Sequence, residues 1–146
     1  MLKVHLVALG DGQSYDNVTI INDSDYKTHN IPDLMEENTF AFIHNKKLIL
    51  THRYNVKLIV YSREKPANIP NCIPFKKVTL VGNISYGPGN IINTCDMEKH
   101  GLPVIFNKRN GDLGQLTMIT QEGILMVSDY SVSNILLQND HRPRIH

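Results

Sequence analysis

The sequence predicts an all-β fold of many short strands closed by one short C-terminal helix, a barrel or double-barrel architecture. Three observations lead there. Apolar residues recur in short, often alternating runs, and Gly, Pro, Asn and Asp punctuate those runs at close intervals. Helical spacing stands out at the C-terminus, where Val132, Ile135 and Leu136 fall at i, i+3 and i+4.

Taken in order, Leu2 to Leu9 is the first strand, closed by Gly10-Asp11-Gly12, and Val18 to Ile21 is the second, ended by Asn22 to Asp25. Ile31 to Asn38 is either a helical turn, with Pro32 at its first position and Asp33, Glu36 and Glu37 near its N-terminus, or a polar loop. Thr39 to His44, Leu48 to Thr51 and Val56 to Ser62 are strands, with a corner at Asn45-Lys46-Lys47 and a polar link, His52 to Asn55. Pro66 to Pro74 carries three prolines and must be extended or turning. Lys77 to Val81 is a strand and Gly82 to Gly89 a glycine-rich loop. Val104 to Phe106, Leu113 to Thr120 and Ile124 to Ser128 complete the strands, with a polar hairpin loop over Asn107 to Asp112. Tyr130 to Gln138 is the expected helix, capped by Ser128 or Asp129. The expected organisation is one compact domain over 1–140, with candidate lobes 1–65 and 76–140, a connector 66–75 and a polar tail 141–146; no internal repeat is expected.

The bulk properties narrow the function classes. A chain of 146 residues, 41% hydrophobic and 20% charged, can bury a core and belongs with globular proteins. With 15 basic and 14 acidic residues, net +1, it makes no strong case for DNA or RNA and none for an anionic membrane. No run approaches the roughly 18 apolar residues of a span, and Lys3 and His5 interrupt the first apolar run as a strand would, unlike a signal peptide. Cys72 and Cys95 are the only cysteines, too few for a disulfide framework, and no Cys-x-x-Cys or His-Glu-x-x-His spacing points to a metal. No metal and no cofactor are expected.

The chemistry-bearing candidates lie in turns. Lys99 and His100 form a cationic pair before Gly101, suited to a phosphate or carboxylate or simply to solvent. His52, between an apolar strand and a polar turn, is either a general base or a surface histidine. Cys72 follows Asn71, but the flanking Pro70 and Pro74 deny it the helix start that would lower its pKa. Gly82, Gly87 and Gly89 lack the lysine and helix of a phosphate cradle. Phe40, Phe42, Tyr54 and Tyr61 alternate as core and rim residues do.

Four segments resemble the trypsin-like (chymotrypsin-fold) serine proteases and the viral proteases that share their double barrel. Phe40 to His52 looks like the hairpin leading to the family's catalytic histidine. Pro70 to Phe75 with Lys77 to Gly82 resembles the interlobe connector and the strand after it. Thr94-Cys95 through Gly101-Leu102-Pro103-Val104 is similar to the nucleophile loop and its Gly-x-Pro strand, and Met126 to Ile135 to the closing strand and helix. The resemblance spans about residues 39–140 and implies a reduced chymotrypsin-like double β-barrel. The family's Gly-Asp-Ser-Gly turn reads Glu98-Lys99-His100-Gly101 here, without a nucleophile; the segment for the buried aspartate is shortened and the disulfide partners are absent. Acyl transfer needs nucleophile, base and orienting group together. The resemblance therefore implies a non-proteolytic homologue acting as a binding or regulatory protein, and the missing disulfide partners favour the cytoplasm.

Two other families are similar in part. The viral cyclic-dinucleotide nucleases called poxins also look like converted trypsin-fold proteases, and Gly101 to Val104 with the loop to Gly111 is similar to their hairpin. That likeness implies metal-free phosphodiester cleavage, with His52, His100 and Lys99 as catalytic candidates and Tyr86 and Gly101 at the ligand. Dihydrofolate reductase is similar in its strands over Leu2–Leu9, Asn55–Glu64 and Lys77–Asn83, but its nucleotide-binding turns read His44-Asn45-Lys46-Lys47 and Gly82-Asn83. The expected partner is thus a protein or an anionic small molecule such as a cyclic dinucleotide.

Overall fold

The structure is a computed structural model describing residues 1–32, 34–35, 38–64, 72–106 and 114–138. The expected Asn107–Asp112 loop, the tail 141–146, most of the connector and the acidic residues Asp33, Glu36 and Glu37 lie outside the described residues. The expected all-β class holds: among the described residues eleven strands and a single six-residue α-helix make up two compact units, Met1–Arg63 and Glu64–His146.

In the first unit β1 (Leu2–Leu9) pairs antiparallel with β2 (Ser14–Ile21), Val4 opposite Val18 and Leu2 opposite Ile20. β3 (Thr39–His44) and β4 (Lys47–His52) form a hairpin through Asn45 and Lys46, whose φ values of 50° and 66° make the two-residue turn that matches strand twist. A 3-10 turn over Arg53–Asn55 then sends β5 (Val56–Ser62) back along β1. The order is β5-β1-β2-β3-β4, a meander whose fifth strand returns to the first. Val4, Val7, Val18, Phe42 and Ile59 are buried; fully burying a side chain of the size of Phe42 stabilises by about 1.5–3 kcal/mol.

The second unit contains β6 (Cys72–Leu80), β7 (Ile84–Tyr86), β8 (Gly89–Ile92), α1 (Thr94–Lys99), β9 (Gln115–Thr120), β10 (Gly123–Ser128) and β11 (Val132–Leu137). Its order is β11-β6-β8-β9-β10, with β7 also on β6. The expected Gly82–Gly89 loop therefore contains β7 and the first residue of β8, with Gly87 and Pro88 between them. A Cβ on Gly89 would lie 2.1 Å from the Ile119 carbonyl oxygen, and one on Gly87 would lie 2.8 Å from the Phe75 ring. Those glycines serve the close approach of backbone to backbone and ring, with Phe75, Val78, Met118 and Leu125 beneath.

Two expectations are corrected. The segment expected as the C-terminal helix is a 3-10 turn, Asp129–Ser131, followed by strand β11. Its ladder to β6 shifts register between Val132 and Asn134 and again between Leu136 and Leu137. The first shift places an extra residue, Ser133, on β11, which breaks the two-residue alternation between Val132 and Ile135 and imitates helical spacing; the second places Lys76 as the extra residue on β6. Second, an internal repeat is present. Leu9 opposite Val56 and Ala8 opposite Leu58 match Leu80 opposite Val132 and Thr79 opposite Asn134, the same bulge in the same place. The hairpins match too, Thr39 opposite His52 against Gln115 opposite Ser128. Both units follow one strand plan, with the second strand of the later unit split into β7 and β8.

Candidate functional site

The place where both units build the same detail is the turn between the fourth and fifth long strands. In the first unit His52 caps the turn with extended backbone (φ −69°, ψ 136°), and its Nδ1 accepts from the Tyr54 amide over 3.2 Å. The His52 and Tyr54 rings stack with centroids 5.1 Å apart. Asn55 ties the turn down: its carbonyl accepts from the Gly10 amide over 2.7 Å, and its side-chain amide donates to Thr51 Oγ1 over 3.1 Å. A Cβ at Gly10 would come within 2.9 Å of Asn55 Oδ1, so a larger residue there would displace that side chain. Tyr54 is left 56% exposed at the surface.

The second unit repeats this with other chemistry. Ser128 (φ −70°, ψ 143°) accepts through Oγ from the Tyr130 amide over 3.3 Å, the Ser131 carbonyl accepts from the Val81 amide over 2.8 Å, and Tyr130 is 63% exposed. A histidine and a serine do one job, satisfying an amide that the 3-10 turn leaves over. The hydrogen bond also assigns the His52 tautomer: Nδ1 carries the lone pair, so neutral His52 bears its proton on Nε2. The basic nitrogen is thereby spent on the backbone.

Comparison with family models, with curated proteins and with solved structures finds no match.

Lys99, His100 and Gly101 stand together in the second unit, where they end α1. The Leu102 amide donates to the Met97 carbonyl over 2.9 Å and the Gly101 amide to the Glu98 carbonyl over 3.1 Å, with Gly101 at φ 67°. This is a Schellman stop, with cationic residues in the last turn and glycine where φ is positive. Lys99 and His100 are exposed; Lys99 Nζ lies 3.8 Å from Oδ1 of the buried Asp96, whose Oδ2 has no hydrogen-bond partner among the described residues. His52 belongs to the other unit. Tyr86 sits half-buried on β7 opposite Val78, its hydroxyl pushed up in pKa by burial and then by Glu122.

Cys72 opens β6 opposite Ile92, a strand position without a helix dipole. Burial, then the Asp96 carboxylate, push its thiol up, the reverse of what a nucleophilic cysteine needs. Among the described residues no three His, Cys, Asp or Glu side chains gather as a metal would require.

Gln115 is the polar residue that sequence reasoning missed. Its Oε1 accepts from the Ile105 and Phe106 amides (2.7 and 3.1 Å), and its Nε2 donates to the Pro103 carbonyl and Thr117 Oγ1 (3.1 and 2.9 Å). Val104 to Phe106 is therefore not the expected strand but an irregular segment clamped by one side chain. No local pattern marks a glutamine for this, because three of the four partners named come from the segment before it, Pro103, Ile105 and Phe106.

Proposed function

We propose that this chain is a non-catalytic binding protein whose two units each offer an exposed tyrosine, Tyr54 and Tyr130, to an extended segment of a protein partner. The observation that carries the reading is the repeated turn: cap residue and flanking charge differ, His52-Arg53 against Ser128-Asp129, while tyrosine stands exposed at the same place in both. Tyrosine gives large, rigid contact area with a polar tip, which suits recognition at a surface. The difference in charge, basic at the first turn and acidic at the second, would let the two turns prefer different stretches of one partner.

The reading shares with a trypsin-type double barrel only the plan of two like β units. Against an acyl-transfer or phosphodiesterase role stand the use of His52 Nδ1 as a cap and of Lys99, His100 and Gly101 as a helix stop. The test is affinity capture with the full chain and with a Tyr54→Ser/Tyr130→Ser variant whose thermal melt is unchanged. A protein retained by the first and released by the second supports the reading; equal retention, or no retained protein, overturns it.

A further inference from the structure

Where β1 starts and β5 finishes, the first unit gathers cationic side chains that take no part in the tyrosine turns. Arg63 follows β5 directly, and its Nε donates to Nε2 of His5 over 2.6 Å. The bond requires a neutral imidazole, with its lone pair on Nε2 and its proton on Nδ1. Lys3 stands two residues before His5, and in a strand residues two apart share a face. Val60 faces Leu6, so Tyr61 comes beside His5 and the end of β5 runs toward Lys3, which faces Thr19 on its other side. Lys3 and Arg63 are exposed, His5 and Tyr61 half-buried.

Every side chain of this set can donate a hydrogen bond, and two carry a fixed positive charge. Among the described residues neither Lys3 nor Arg63 makes an ion pair. Asp25 lies 3.9 Å from the Met1 amine, and Asp16 faces Leu6, out of step with Lys3 and His5. A carboxylate would hold Arg63 and neutralise it at once; a neutral ring holds the guanidinium and leaves its charge in place. Nε is spent on His5, which leaves the fork of Nη1 and Nη2 for a bidentate oxyanion. The second unit has Pro74, Lys76 and Leu137 at the places matching Lys3, His5 and Tyr61, so it does not repeat the set.

We infer that Lys3, Thr19, Tyr61 and Arg63 form a binding site for a phosphate group, with His5 as the residue that positions Arg63. Two fixed charges suit a phosphate monoester dianion better than a single carboxylate, and the Thr19 and Tyr61 hydroxyls supply donors for its remaining oxygens. The inference is independent of the tyrosine turns, since none of these residues belongs to them.

NMR titration of the labelled full chain at fixed pH and ionic strength tests it. The probes are inorganic phosphate, glycerol phosphate and a phosphoserine peptide, with chloride as the reference anion. The expected result is saturable binding of one phosphate per chain that shifts the Arg63 Nε signal. Arg63→Gln and Lys3→Gln should each weaken binding by about tenfold, as loss of a charge-assisted contact does, with the melt unchanged. His5→Ala should weaken it too, and His5→Gln, which keeps an acceptor for Nε, should retain it. Equal affinity for all three probes supports the site as one for small phosphates; tighter binding of the peptide supports it as one for a phosphorylated protein. The same shifts with chloride, binding that neither charge variant weakens, or a titration that never saturates overturns the inference.

Discussion

Ser128 occupies in the second unit the place that His52 holds in the first, each accepting the amide of the tyrosine two residues on, over 3.3 and 3.2 Å. The correspondence makes His52 a capping residue before it is anything else. His52→Ser should therefore keep the turn, whereas His52→Ala should cost about 1 kcal/mol, as lost caps do. Thermal unfolding checks it, the alanine variant melting about 2–4 °C lower and the serine variant close to the parent.

The Gln115 clamp should be worth more than a cap. Gln115→Ala leaves the Ile105 and Phe106 amides without their acceptor in a part-buried setting, at roughly 1–3 kcal/mol for each group that water cannot reach. Denaturant unfolding should show a loss of about 2 kcal/mol or more. Gln115→Glu, which keeps the acceptor but loses the donors to Pro103 and Thr117, should fall between the two.

Cys72 should react slowly with iodoacetamide at pH 7.5 compared with a free thiol, because burial and then Asp96 disfavour its thiolate. Asp96→Asn should speed the reaction, read by mass spectrometry on the Cys72 peptide. The same shift has a sign for stability. The folded state holds this proton more tightly than the unfolded chain, so the contribution is complete below the ordinary thiol value, about 8.5, and is lost as pH rises through the folded one. Tyr86, raised by burial and Glu122, acts in the same direction at higher pH. Melting temperature should fall on the alkaline side, and Cys72→Ser should soften the first part of that fall.

The capping role of His52 and the lack of a nucleophile at Lys99-His100-Gly101 predict no enzyme chemistry of the two kinds the sequence suggests. A fluorophosphonate probe should leave the chain unlabelled, and a cyclic dinucleotide incubated without added metal should remain intact by chromatography. Substrate decay abolished by His52→Ala would overturn this.

The hairpin of the first unit was legible because Phe40 to Ile43 and Leu48 to Thr51 flank a short polar corner, a local pattern. The closing strand was not: one bulge against β6, at Ser133, gave Val132, Ile135 and Leu136 the spacing of a helix, and only the ladder exposes them as strand residues. The repeat was half-visible in Tyr54-Asn55-Val56 and Tyr130-Ser131-Val132, yet those short matches acquire meaning only through the shared register. Of the candidate site, the glycine after Lys99-His100 was legible as a turn, but its work as a helix stop depended on α1, which was not expected.

The sequence by itself determined the all-β class, most strand positions and the absence of a serine or cysteine from the nucleophile-like turn, since alternation, turn chemistry and residue identity are local. Only the tertiary structure decided that two units share one strand order, that His52 caps a turn and that β11 ends the strand order among the described residues. Those depend on which distant strands pair and in what register, and no short stretch of chain encodes its partner.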